Sequence, residues 1–129
     1  MTSLDLTVET ERRLCVVDVT DRVADALPAD ADGLCTVFVR HTTAGICLQE
    51  NERRLVDDVE RFLSETVADE GWAHDELDGN ADSHLRALLV GNSVTVPVSD
   101  GELDLGTWQS LLFVECDGPR TRQLSVRVV

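Results

Sequence analysis

Leu111-Leu112-Phe113-Val114-Glu115-Cys116 is the stretch whose reading decides the fold. Side chains alternate between the two faces of a strand, so a half-buried strand shows apolar and polar residues in turn. Here both parities are apolar, which predicts a strand covered on both sides. Glu115 shares its face with Leu111 and Phe113, where a carboxylate is costly unless it is paired, hydrogen-bonded or kept neutral. That makes it a stronger candidate site residue than any surface acid.

Working outward, "NSVTVPV" (92–98), the turn "SDGE" (99–102), "LDLGTWQSLLFVEC" and "RQLSVRVV" read as a closing series of antiparallel strands, with Pro97 marking an edge or a bulge. Toward the N-terminus, the Val-rich runs "RRLCVVDVT" (12–20) and "LCTVFVRH" (34–41) read as strands. Between them Thr20 is placed to cap a short helix from Asp21 to about Leu27, closed by Pro28. From Asn51 onward, Leu55, Val56, Val59, Phe62, Leu63 and Val67 recur at intervals of three and four, which predicts a helix. Arg54 with Asp58, and Asp57 with Arg61, are expected to pair on its outer face. The polar stretch 69–79 reads as a loop carrying Trp72 and His74. Residues 81–90 suit a helix ending at Gly91-Asn92 with Asn80 or Asp82 as its N-cap. This order predicts an α+β domain, a two-sheet β-sandwich with flanking helices, occupying residues 1–129 as one unit.

The 129 residues carry 25 acids against 11 basic residues, all arginine, for a formal charge of -14. That balance excludes nucleic acid as an expected partner. It also favours a halophilic setting, because self-repulsion is relieved when salt shortens the Debye length. No basic leader, membrane-length apolar run or lipidation signal is visible, so no membrane partner is expected and a cytoplasmic protein is. Cys15, Cys35, Cys47 and Cys116 sit in apolar stretches without paired spacing, as reduced core thiols do.

The three histidines, His41, His74 and His84, all fall at the ends of elements, where a scaffold can make distant groups converge. Each alone reads more readily as a surface or locally bonded residue than as a ligand. Together they can bind a transition metal such as zinc, with Asp82 or water completing the shell. "HTTAG" (41–45) offers Thr42 and Thr43 as anion donors, and Arg120 in the rigid turn "DGPR" can grip a phosphate. Asn51 and Glu52 are placed to open the long helix, yet follow His41 closely enough to share a pocket with it.

"HTTAG", "NE" (51–52), His74, "GNADSHL" (79–85), "LLVGNSVTVPV", "DGELDLGTWQ" and "ECDGPR" together strongly resemble the YjbQ-like family of small proteins, in register from about residue 36 to 127. The resemblance implies a compact α+β fold, assembly as a homotrimer, and secondary thiamine-phosphate synthase activity. It carries over a polar cluster: His41, Asn51, Glu52, His74, Asn80, Asp82, His84, Gln109, Glu115 and Arg120. This chain departs from the family pattern in lacking a proline-containing insertion after Asn-Glu, and in having Trp72 where a phenol precedes the loop histidine.

Three functions follow as expectations. The first is condensation of a pyrimidine pyrophosphate with a thiazole phosphate. Here His41, Asn51, Glu52, Asn80, Asp82 and Glu115 would be catalytic, and Thr42, Thr43, Gln109 and Arg120 would bind phosphate, with a divalent ion (zinc or magnesium) assisting. The second is a metal-dependent hydrolase with His41, His74 and His84 as ligands. The third is a non-catalytic trimer that binds a small phosphorylated metabolite.

Overall fold

The structure, a computed structural model, describes residues 2–129. Its strands are β1 (Thr2–Glu9), β2 (Cys15–Asp18), β3 (Gly33–Val39), β4 (Ala44–Gln49), β5 (Ser93–Ser99), β6 (Glu102–Leu103), β7 (Ser110–Glu115) and β8 (Thr121–Val128). Its helices are α1 (Thr20–Asp25), α2 (Arg53–Thr66) and α3 (Ala81–Val90), with one 3-10 turn at Ala73–Glu76. The strands form two antiparallel sheets, ordered β1-β8-β3-β5-β6 and β2-β7-β4. The fold is therefore α+β with two sheets and few helices, as the sequence predicts.

The double-sided strand is β7, at the centre of the three-stranded sheet. Leu111 and Phe113 pack into the core between the sheets, against Val37, Val39, Leu124 and Val126. Val114 and Cys116 face the other way, under Leu63 of α2 and Ala87 of α3. Three layers result, and β7 is buried because it lies in the middle one. Full burial of a side chain such as Phe113 or Leu111 contributes about 1.5–3 kcal/mol.

Several boundaries differ from expectation. β1 and β4 were not anticipated, although Leu4, Leu6 and Val8 alternate with polar residues as an antiparallel strand requires. Asn51 lies before α2, which Glu52 caps by accepting from the Arg54 N–H at 2.7 Å. The expected surface pairs are replaced by Arg54–Glu52 and Arg61–Glu65. Thr20 is the first helical residue rather than the cap: its N–H and hydroxyl both donate to Asp18 Oδ1. Pro97 lies in β5 with its carbonyl accepting from Asp104 beyond the two-residue β6, so its missing N–H faces a ragged edge. The hairpin at Ser99–Glu102 turns through Asp100 and Gly101, both at positive φ as a type I′ turn demands.

Gly45 fixes where α3 ends. A Cβ there would stand 2.5 Å from the Gly91 carbonyl, and that carbonyl accepts from the Ile46 N–H at 3.0 Å. The C-terminus of α3 thus lies directly on the start of β4. No helix among the described residues is long and apolar enough to cross a membrane.

Candidate functional site

The turn "CDGPR" carries the chain from β7 in one sheet to β8 in the other, and at this end the core closes with charge. Glu115 is fully buried, last in the inward-facing row of β7. Arg122 begins the inward-facing row of β8 that continues with Leu124, Val126 and Val128. Arg122 donates to both Glu115 oxygens, through Nε at 2.8 Å and through Nη2. The Thr10 hydroxyl (2.7 Å) and the Asp117 N–H (3.0 Å) donate to the same carboxylate. Burial pushes the Glu115 carboxyl up, but the bonds from Arg122 and Thr10 outweigh it and hold the group below its ordinary value. Glu115 is thus a bound anion that braces the two sheets, and this takes it out of the role of proton carrier.

Asp82 behaves alike. Arg13 meets it through both terminal nitrogens at 2.9 and 3.0 Å, and Arg86 at 2.5 Å. Burial opposes ionisation, yet the arginines hold the carboxyl below its usual value. Arg86 in turn donates to the carbonyls of Leu63 and Val67, tying the end of α2 to α3. Asp82 therefore serves as a structural anion as well.

The imidazoles come together around α3. His41, Thr42, Ala44, His84, Leu88 and Asn92 line one cavity of about 560 Å³. Trp72, His74, Ala81, His84 and Leu85 line a second of about 410 Å³. His84 and Leu85 belong to both. The His74 and His84 rings meet edge-on, with centroids 4.9 Å apart. Among the described residues no three His, Cys, Asp or Glu side chains form one group that could hold a metal ion.

His41 Nε2 accepts from the Gln123 N–H at 2.9 Å, which fixes its ring. Burial, then the positive charge of Arg122, lowers its pKa below the usual imidazole value; Arg120 adds to this and Glu115 opposes it. His41 is therefore neutral at pH 7, with Nδ1 as its remaining ring nitrogen.

Asp117 is a junction that sequence reasoning missed. It accepts from Asn80 Nδ2 at 3.0 Å and from Arg120 Nη2 at 2.9 Å. The Asn80 side chain therefore does not cap α3; instead Asp75 accepts from the Ala81 N–H at 3.2 Å and from the Trp72 N–H at 3.1 Å. Two buried side-chain atoms among the described residues lack a partner, Asn80 Oδ1 and His74 Nε2. His74 Nε2 is 3.6 Å from Asp78 Oδ2, too far for a hydrogen bond. Orphaned buried polar atoms are rare and call for an explanation.

The remaining candidates fall elsewhere. Thr43 is buried and accepts from Arg122, leaving Thr42 as the hydroxyl on the cavity. Asn51 donates to Asp18, and Gln109 accepts from the Gly106 N–H. β4 starts at Ala44 opposite Glu115 and ends at Gln49 opposite Ser110, so about 17 Å of strand separates the His41 end from the Asn51, Glu52 and Gln109 end. One signal could have found Arg122 in the sequence: it shares the parity of Leu124, Val126 and Val128.

Residues 4–129 match the family described as UPF0047 protein, YjbQ-like. A UPF0047 protein of Archaeoglobus fulgidus is 46% identical over 127 residues, covering 98% of this chain and 100% of that protein. The UPF0047 protein YugU of Bacillus subtilis is 34% identical over 130 residues, covering 96% of each. The crystal structure of a hypothetical protein from Aeropyrum pernix superposes with a TM-score of 0.96 at 43% identity, covering 100% of this chain and 98% of that one. A YjbQ/UPF0047 protein of Clostridium acetobutylicum superposes with a TM-score of 0.91 at 32% identity, covering 98% and 99%. With its fold, its motifs and nearly its whole length matched, the chain belongs to the YjbQ-like UPF0047 family.

Proposed function

We propose that the cavity of His41, Thr42, His84 and Asn92 binds a small phosphorylated metabolite and catalyses its reaction. One observation carries this reading: a neutral imidazole and a second one, 43 positions apart in the chain, face a single cavity of small-molecule size. The chemistry that the resemblance implies is condensation of a pyrimidine pyrophosphate with a thiazole phosphate. A C–N bond forms as the C–O bond to pyrophosphate breaks, and pyrophosphate leaves with the electron pair. Arg120 and Thr42 would neutralise that charge, and His41, whose Nε2 is taken by the Gln123 N–H so that Nδ1 carries the ring proton, would donate from Nδ1 to an oxygen of the leaving group. Glu115 and Asp82 position the site by holding Arg122 and α3. An assay of pyrophosphate release with both precursors, run at high salt, tests this: slow turnover that falls at least roughly 100-fold in His41→Ala is expected. Absence of turnover in the wild-type protein refutes the condensation.

Asn51, Glu52 and Gln109 can join the same site only if another copy supplies them. A homotrimer arranged head to tail would bring that end of one protomer to the His41 end of the next. Light scattering on the purified protein tests the assembly, and a monomer refutes it.

Metal-assisted hydrolysis is favoured by the pairing of His74 and His84. Two imidazoles suit zinc rather than magnesium, which prefers oxygen ligands. A bound zinc would polarise the phosphoryl group or activate water. Metal analysis of unsupplemented protein distinguishes this reading by a stoichiometric ion.

A further inference from the structure

We propose that the second cavity, walled by Trp72, His74, Ala81, His84 and Leu85, is a subsite for a planar heteroaromatic ring carried by the phosphorylated ligand, stacked on the Trp72 indole. The inference rests on the reading above, since it makes the two cavities one bipartite site joined at His84 and Leu85.

Two features point to a ring. The Trp72 indole is held in place, because its Nε1–H donates to the Ala68 carbonyl at 2.8 Å and its main-chain N–H to Asp75, yet the side chain is not packed into the core: the residue stays 41% exposed. A fixed, exposed aromatic plane beside a cavity is what base-stacking sites offer, at little entropic cost. The remaining walls are the Ala81 and Leu85 side chains and the edge-on imidazoles of His74 and His84, a slot of about 410 Å³ with little polar surface. The adjoining cavity, with Thr42, Asn92 and the neutral His41, takes the polar half.

Calorimetry with three probes separates the halves: adenosine monophosphate, cytidine monophosphate and ribose 5-phosphate, which keeps the phosphate and lacks the ring. The nucleotides are expected to bind roughly 5- to 150-fold tighter than ribose 5-phosphate. Trp72→Ala should erase that difference, Trp72→Phe should retain most of it, and Trp108→Phe should leave it unchanged. Equal binding of all three probes overturns the ring subsite while sparing the phosphate reading, as does equal weakening of all three by Trp72→Ala. Binding of adenosine, titrated as a fourth probe that keeps the ring and lacks the phosphate, with none of ribose 5-phosphate supports the subsite and refutes the phosphate reading. Absence of binding by every probe overturns both.

Discussion

Replacing Asp82 with Asn probes the contact that holds α3 in register. The carboxylate is 0% exposed and lies between Arg13 and Arg86, the latter 3% exposed at its side chain. Asn keeps the shape but removes the charge, leaving the Arg86 guanidinium buried with three carbonyls and the Asp69 carboxylate, which is 75% exposed. Loss of one partner from a buried pair costs about 3–5 kcal/mol. At about 2.1 cal/mol/K per residue, a protein of this length has an unfolding entropy of about 0.27 kcal/mol/K, so the expected drop in Tm is about 11–18 °C. The assay is thermal unfolding followed by circular dichroism at fixed protein and salt concentration. Asp69→Asn, which removes only the solvent-exposed carboxylate from Arg86, should cost less than about 1 kcal/mol. The pH dependence follows from the lowered Asp82 pKa: its stabilisation is complete above the unfolded value of 3.8 and fades as pH falls through the lower folded value. Asp82→Asn should flatten that part of the acid limb. A loss below about 1 kcal/mol would refute the reasoning, because Arg86 would then be held by the carbonyls alone.

Glu115→Gln should destabilise by a similar 3–5 kcal/mol, since Arg122 loses its counter-charge between the sheets; urea unfolding measures it. Gly45→Ala drives a methyl into the Gly91 carbonyl and should cost about 1–3 kcal/mol by the same measurement. His41 should titrate below 6.5 in a proton NMR series, and because its folded pKa is depressed, its contribution to stability should be lost as pH falls from 6.5 through that midpoint. Tm should rise between 0.1 and 1 M salt, where the Debye length contracts from about 10 to about 3 Å around a chain of formal charge -14; a flat series would sink the halophilic reading.

Much of the architecture was legible because it rests on local periodicity. The apolar parities of residues 111–116 identified a middle-layer strand, and the spacing from Leu55 to Val67 identified α2. β4 escaped because its six residues carry no alternation and include Gly45, whose role is a close approach to α3 visible only in space. In the site, the three histidines were singled out by residue type, and the fold brings them to two cavities with His84 in common. The roles of the acids were not legible. Glu115 looked like chemistry because a buried carboxylate demands a partner, and Asp82 because it stands beside His84; of their partners only Arg122 left a trace in the sequence, through its parity with Leu124, while Arg13 and Arg86 left none.

By itself, the sequence determined the layers, the element types and the residue chemistry available, since these follow from side-chain period and composition along short stretches. Only the tertiary structure decided which carboxylates are locked in ion pairs, which nitrogen is left without a partner, and that Asn51, Glu52 and Gln109 stand at the far end of the sheet from His41. Those outcomes depend on contacts between residues tens of positions apart, whose energies are set by burial and distance rather than by neighbours in the chain.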